Sequence, residues 1–389
     1  MFSFQIYFLL SDSPKRYFEA AAPSSVERNL YSVALPADGQ LSAMVSMTSN
    51  NVTPSYYSSS FSPEAGFYVL SYYGPDIPWQ RIIQPSSPSF DYVLSSNDAL
   101  NNATVAYESP TLVHSTFTND GFELNVLERR PPRMDDTGRT KYPVLFKVYG
   151  GPNSQTVNVK FAREWEDYLV CSLGYVVVTV DGRGTGAKGR ALRSVVKGNL
   201  GWYEVLDQVA AAKEWVTRDY VDSHRIGVWG WSYGGYMAAK IVEKSAGVHT
   251  LAMSVAPVTD WRLYDSIYTE RYMGLPNLNE EGYNNASVGS VEGWKDVDYA
   301  LAHGSGDDNV HFANSARLLD MLTEGQVRTG FWFRMFTDRS VFSAPSSSFF
   351  SLLSSDHSIN TRGANREVYE FLTSFLLDKW GKGGRRRAW

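Results

Sequence analysis

RIGVWGWSYGGYMAAKIVEK, residues 225–244, reads as an apolar strand (Arg225–Trp229), a glycine-rich turn and a helix (Gly235–Lys244). The turn is Gly230-Trp231-Ser232-Tyr233-Gly234-Gly235, a G-x-S-x-G pattern with a strand before it and a helix after it. In that context the pattern predicts a nucleophile elbow. A strand-to-helix turn this tight leaves no room for side chains at its glycines. It lifts the serine hydroxyl above the sheet edge, at a helix N-terminus that favours developing negative charge.

Outward from the elbow, apolar runs alternate with helical segments. Tyr142–Tyr149, Tyr175–Val180, Thr250–Val255, Tyr299–His303 and Phe331–Phe336 read as buried strands. Their unbroken hydrophobicity suits parallel strands covered on both faces. Helices are expected at Gly201–Arg218 and at Ala364–Trp380, where Val368, Phe371, Leu372, Phe375 and Leu376 share one face. Thr111–Thr118 and Phe122–Glu128 flank Asn119-Asp120-Gly121, a hairpin signal. The sum predicts a doubly wound α/β domain of the α/β-hydrolase type over residues 109–389. Residues 1–108 differ. Short aromatic runs (Phe4–Leu10, Asn29–Val33, Gly66–Tyr73, Gln80–Ile83) stand between Ser, Pro, Gly and Asn clusters, with no helical periodicity. That spacing predicts antiparallel strands of an all-β region, one or two propeller blades' worth.

A serine nucleophile needs a base, and the base an orienting acid. In this fold class the chain order is Ser, acid, His. Downstream of Ser232 stand His249, His303, His311 and His357. His249 reads as a surface residue, His303 as a packed one at a strand end, and His311 as a cap or surface residue. His357 leaves room for an intervening acid in Gly304-Ser305-Gly306-Asp307-Asp308-Asn309, after the strand Tyr299–His303. Asp307 or Asp308 is then the acid, with Asp307 nearer the strand. The oxyanion donors expected are the N–H of Tyr233 and a group from Tyr149-Gly150-Gly151-Pro152. Gly184–Gly189 matches G-x-G-x-x-G, but the position twenty residues on falls inside a helix instead of ending a second strand. It reads as a connecting loop. No sequence pattern implies a metal or a nucleotide cofactor.

Composition narrows the function classes. The 389 residues are 43% hydrophobic and 20% charged, the balance of a soluble globular chain. Lys and Arg total 36 against 41 Asp and Glu, a net charge of -5, which argues against nucleic-acid binding. Aromatics reach 14%, a level suited to β modules and aromatic-lined pockets. Cys171 is the only cysteine, so no internal disulfide forms. No stretch is long and apolar enough for a membrane span, and MFSFQIYFLL at the start reads as a buried strand and not as a signal peptide. Three acceptor sequons, at Asn51, Asn102 and Asn285, fit a secretory glycoprotein.

Taken together, Val148–Pro152, Asp181–Gly184, Gly230–Tyr236, Val255–Met273, Asp307–Phe312 and Asp356-His357 resemble the dipeptidyl peptidase IV family of serine exopeptidases, in the prolyl oligopeptidase clan, and its fungal dipeptidyl aminopeptidases in particular. The resemblance implies Ser232 as nucleophile, Asp307 as acid and His357 as base, with Tyr149 and Tyr233 as oxyanion donors. It implies an S1 pocket lined by Val258, Trp261, Tyr264, Tyr268, Tyr233 and Val310, with Asn309 bonding a substrate carbonyl. An apolar, aromatic pocket suits a proline ring. The implied reaction releases N-terminal Xaa-Pro or Xaa-Ala dipeptides from peptides. The resemblance also implies a possible homodimer and a vacuolar-membrane or secreted location.

Two departures accompany it. The family's propeller glutamates that hold the substrate amine, and its membrane anchor, fall outside this sequence. Residues 339–354, RSVFSAPSSSFFSLLS, stand between the last strand and His357 where the family has almost none. The expectation is an N-terminally truncated chain with a retained intron at 339–354. The alternatives are another α/β-hydrolase, an esterase or acyl-peptidase, or a catalytically impaired fragment.

Overall fold

The computed structural model describes residues 4–6, 15–34, 43–49, 53–327, 330–337, 357–360 and 363–386. Two compact units divide the chain. Residues 1–109 with 157–164 and 186–191 form one, and 110–156, 165–185 and 192–389 the other.

The first unit holds two four-stranded antiparallel sheets, each a simple meander. One contains β1 (Phe4–Ile6), β2 (Lys15–Ala20), β3 (Asn29–Ala34) and β4 (Val45–Ser46). The other contains β5 (Tyr56–Phe61), β6 (Tyr68–Gly74), β7 (Trp79–Gln84) and β8 (Ser87–Ser95). Part of the aromatic surplus is spent here, on stacking that joins the two sheets. Tyr17 and Tyr68 each stack on Phe61 with centroids 4.7 Å apart, beside fully buried Leu30. One expectation fails in this unit: Asp98–Val105 is a helix, α1, with no buried residue. A helix that buries no face writes no apolar stripe into its sequence, so periodicity could not reveal it. Of the expected strand Phe4–Leu10, residues 7–10 lie outside the described residues.

The second unit is built on a nine-stranded sheet. Its strands are β9 (Thr111–Asn119), β10 (Phe122–Arg130), β11 (Thr140–Lys147), β12 (Val176–Asp181), β13 (Val221–Trp231), β14 (Leu251–Val255), β15 (Asp298–Gly304), β16 (Phe331–Phe336) and β17 (Arg385–Arg386). They run in the order β16-β15-β14-β13-β11-β12-β10-β9, and β17 pairs with β11. From β16 to β12 every pairing is parallel; the β9–β10 hairpin adds antiparallel to β12. Helices follow the strands: α2 (Trp165–Cys171), α3 (Arg190–Ser194), α4 (Trp202–Val216), α5 (Tyr233–Lys244), α6 (Ser266–Met273), α7 (Glu280–Ala286), α8 (Ala313–Glu324) and α9 (Ala364–Lys379).

The period of two in each central strand feeds two cores at once. Val144, Phe146, Val176 and Val178 pack with residues of α4 and α5 on one face. Leu145 and Val177 pack with Leu169 and Val170 of α2 and with Val368, Leu372, Phe375 and Leu376 of α9 on the other. That is why these strands read as continuously apolar. The chain is an α/β-hydrolase domain with a β-rich N-terminal region. His249 departs from its reading as a surface residue. It is 8% exposed just before β14, its ring edge-on to Phe146, and burial pushes its imidazole down to about 4. The low-complexity stretch 339–354, Asp356 and the sequon asparagine Asn51 lie outside the described residues.

Candidate active site

The elbow is built by close backbone approach. A Cβ on Gly234 would sit 2.1 Å from the Val148 carbonyl oxygen, and one on Gly230 would sit 2.4 Å from the Gly234 backbone. Only glycine fits at either place. Between them Ser232 adopts φ 62°, ψ −120°, a conformation L-residues avoid. It is held there by two backbone bonds: its N–H donates to Val255 O at 2.8 Å, and its carbonyl accepts from Tyr236 N at 3.0 Å. The half-buried Ser232 thus caps the first turn of α5, and Tyr233, as first helical residue, has an N–H with no intrahelical acceptor.

Asp307 follows the C-terminal end of β15, two strands from the elbow, and is 4% exposed. Its Oδ1 accepts the backbone N–H groups of Asn309 at 3.0 Å and Val310 at 2.8 Å. Its Oδ2 lies 2.8 Å from His357 Nδ1. Burial alone would raise the carboxyl's pKa, but hydrogen bonds from His303 and His357 outweigh it and hold the group well below the usual carboxylate range. An ionised Asp307 only accepts, so in the neutral ring Nδ1 of His357 carries the proton and Nε2 the lone pair. Asp308, the alternative acid, is exposed.

A residue that spacing did not mark holds His357 from the other side. Trp231, immediately before Ser232, donates its indole N–H to the His357 carbonyl at 2.9 Å. Ser232 Oγ itself has no hydrogen-bond partner among the described residues. Asp307, the 357 loop and the elbow are therefore joined by two bonds to His357.

Tyr149 stands just past β11, 41% exposed, with its ring centroid 6.1 Å from that of Tyr233. Burial of its inner part, and then the neighbouring Tyr272, raise its phenol above the ordinary value, so it stays a donor. The aromatic run from Trp261 forms a wall. Trp261 is 1% exposed and stacks on Tyr268 at 6.1 Å and 14°. Tyr264 meets both rings edge-on, at 5.8 Å and 5.4 Å. Tyr233 closes on Trp261 at 5.5 Å, and Val258 and Val310 are buried in the same cluster. Burial, then Asp265, pushes the Tyr264 phenol up to about 12. Its O–H donates to Asn309 Oδ1 at 2.8 Å, which leaves the amide NH2 of Asn309 as the group free to turn outward.

Behind this wall lies another group that spacing did not reveal. Glu204 on α4 is 2% exposed and accepts the Tyr233 phenol at 2.8 Å. The glycine-rich segment 184–189 leads into the five-residue α3, with residue 209 inside α4. Nearby Asp207 is fully buried and bound to Arg183 through both guanidinium and backbone nitrogens. Among the described residues no cluster of His, Cys, Asp and Glu is arranged to hold a metal.

Comparison with known proteins follows this geometry. The sequence pattern of the prolyl oligopeptidase family matches residues 160–383, and that of the dipeptidyl peptidase IV N-terminal region matches residues 5–79. A probable dipeptidyl-aminopeptidase B of Botryotinia fuckeliana is 45% identical over 378 residues, 96% of this chain and 38% of that protein. One from Arthroderma otae is 49% identical over 312 residues, 79% of this chain and 33% of that protein. Among solved structures, the dipeptidyl peptidase 4 of Porphyromonas gingivalis superposes with a TM-score of 0.82 at 29% identity, covering 96% of this chain and 50% of that one. The chain therefore spans less than half the length of the curated relatives it matches.

Proposed function

The chain belongs to the prolyl oligopeptidase family, and on that premise we propose that it acts as a serine dipeptidyl peptidase, releasing N-terminal Xaa-Pro or Xaa-Ala dipeptides through an acyl-enzyme on Ser232. The observation that carries the reading is the 2.8 Å bond from Asp307 to His357, on a loop tied through Trp231 to the elbow that presents Ser232.

Each group has a step in the chemistry. Ser232 Oγ attacks the carbonyl carbon of the second residue's peptide bond, and its proton passes to His357 Nε2. Asp307 holds the resulting imidazolium. The oxyanion is met by the Tyr149 phenol and the Tyr233 N–H. As the tetrahedral intermediate collapses, the C–N bond breaks and His357 returns the proton to the leaving amine. Water, deprotonated by the same imidazole, then attacks the ester carbon and frees Ser232. Val258, Trp261, Tyr264, Tyr268 and Val310 would receive the proline ring, and Asn309 would donate to the preceding carbonyl. A wall of aromatic rings and valines favours proline or alanine over charged residues.

On the same reading the protein enters the secretory route, and two of its sequon asparagines, Asn102 and Asn285, are exposed. No helix among the described residues is long and apolar enough to cross a membrane.

The test offers purified protein Ala-Pro-nitroanilide, an N-blocked Gly-Pro analogue and a short nitrophenyl ester. The expected result is cleavage of the first, with Ser232→Ala lowering the rate by about 10^3-fold or more. Ester cleavage alone would make the chain an esterase. No turnover, together with no labelling of Ser232 by a fluorophosphonate, would make it an inactive member of the family.

A further inference from the structure

His303 is the last residue but one of β15, four residues before Asp307, and is completely buried. Its Nε2 lies 2.8 Å from the Val310 carbonyl oxygen and 3.2 Å from Asp307 Oδ2. Both partners only accept, so Nε2 carries the proton. In the neutral ring Nδ1 is then a lone pair, and Ser315 Oγ on α8, at 2.6 Å and equally buried, donates to it. A serine on a helix thereby fixes the tautomer of a histidine on a strand.

Asp307 is thereby held by two backbone N–H groups and His357, with the His303 Nε2–H, which Val310 O shares, as a further contact. Two backbone N–H groups take Oδ1, while His303 and His357 share Oδ2. We propose that His303 is a positioning residue for the reaction: it anchors the Asp307 oxygen to which His357 is bonded, and ties that oxygen to Val310 in the apolar wall. The proposal rests on the triad reading given above. Because the two imidazoles compete for one oxygen, His303 also draws charge away from His357. Among the described residues the Tyr264 phenol also feels the Asp307 charge, and other ionisable groups nearby are paired or exposed. Arg317 of α8 pairs with Asp260, and Arg334 of β16 pairs with Glu367. Asp308 and His311 on the loop are exposed.

The test is the rate of fluorophosphonate labelling at Ser232 across about pH 5 to 9, the range in which an imidazole titrates. It compares the whole wild-type chain with His303→Leu, His303→Gln and Ser315→Ala. Leucine removes the donor, and labelling should slow by roughly 10- to 100-fold, the cost of a loosened catalytic group. The acid limb of the profile should move to higher pH, because Asp307 then acts on His357 undivided. Glutamine can place an N–H near the Nε2 position and should recover most of the rate, with the limb near its wild-type place. Ser315→Ala, which frees the tautomer, should move the limb in the same direction as leucine, and it carries the comparison if the leucine chain does not fold. An unmoved limb in every folded variant overturns the proposal, whether or not the rates fall, since that is what loss of packing alone would give. A wild-type chain that does not label at all would instead defeat the triad reading beneath it.

Discussion

Glu204 shows how a single buried side chain can make this site sensitive to pH. Burial raises its carboxyl to about 7, against hydrogen bonds from its own and the Gly201 N–H and from the Tyr233 phenol, with Asp207 adding to the rise. Between the ordinary carboxyl range and about 7, the folded chain keeps a proton that the unfolded chain has released. Stability therefore falls as pH rises through that window and levels off above it. Glu204→Gln keeps an acceptor for Tyr233 but cannot ionise, so it removes the slope. Relative to wild type it should gain on the order of 1–3 kcal/mol between about pH 5 and pH 8. Urea midpoints at the two pH values measure this, and an equal difference at both would show that Glu204 does not titrate there. Sequence had no means of marking this residue. It sits in an amphipathic helix like any other glutamate, and only the fold turns it inward, against the back of Tyr233.

At the scale of elements, the sheet was legible because each central strand feeds two cores, and unbroken apolar runs are what two-sided burial requires. The elbow was legible because close backbone approach leaves glycine no substitute at 230 and 234. His303 was read as a packed residue, which describes its surroundings and misses its bond to Asp307. That bond depends on a helix twelve residues away supplying Ser315. Trp231 was missed for a related reason. Its neighbours in sequence are the elbow itself, while its partner His357 lies 126 residues on. The indole bond is what connects the loop of His357 to the turn carrying Ser232. Trp231→Phe keeps the ring and removes the donor, so it should lower kcat about tenfold while leaving KM near its wild-type value. Steady-state kinetics on the dipeptide nitroanilide decide it. An unchanged kcat would mean that the loop holds His357 without the indole.

At the scale of the whole molecule, the two units are interleaved in sequence. Segment 157–164 leaves the α/β domain, joins the first unit and returns at α2. Within the first unit Val159 N donates to Val26 O at 3.1 Å and Phe161 N to Tyr73 O at 2.7 Å. The Lys160 ammonium lies over the rings of Tyr56 and Tyr73. Space at Gly74 is so tight that a Cβ there would come within 2.2 Å of Phe161 N. The segment therefore takes its partners from residues 1–109, although in sequence it belongs to the other half. A chain beginning at residue 110 keeps both cores of the nine-stranded sheet but strips 157–164 of those bonds. Buried backbone groups left unpaired cost about 1–3 kcal/mol each, so the segment should open to solvent instead of staying in place. Trypsin should then cut after Lys160 or Arg163 in the shortened chain well before it cuts within the sheet strands, whereas the full chain should resist at both bonds. Mass spectrometry of the early fragments reads this directly. Equal resistance in the two chains would mean that 157–164 is held from the α/β side, and that the first unit contributes little to its order.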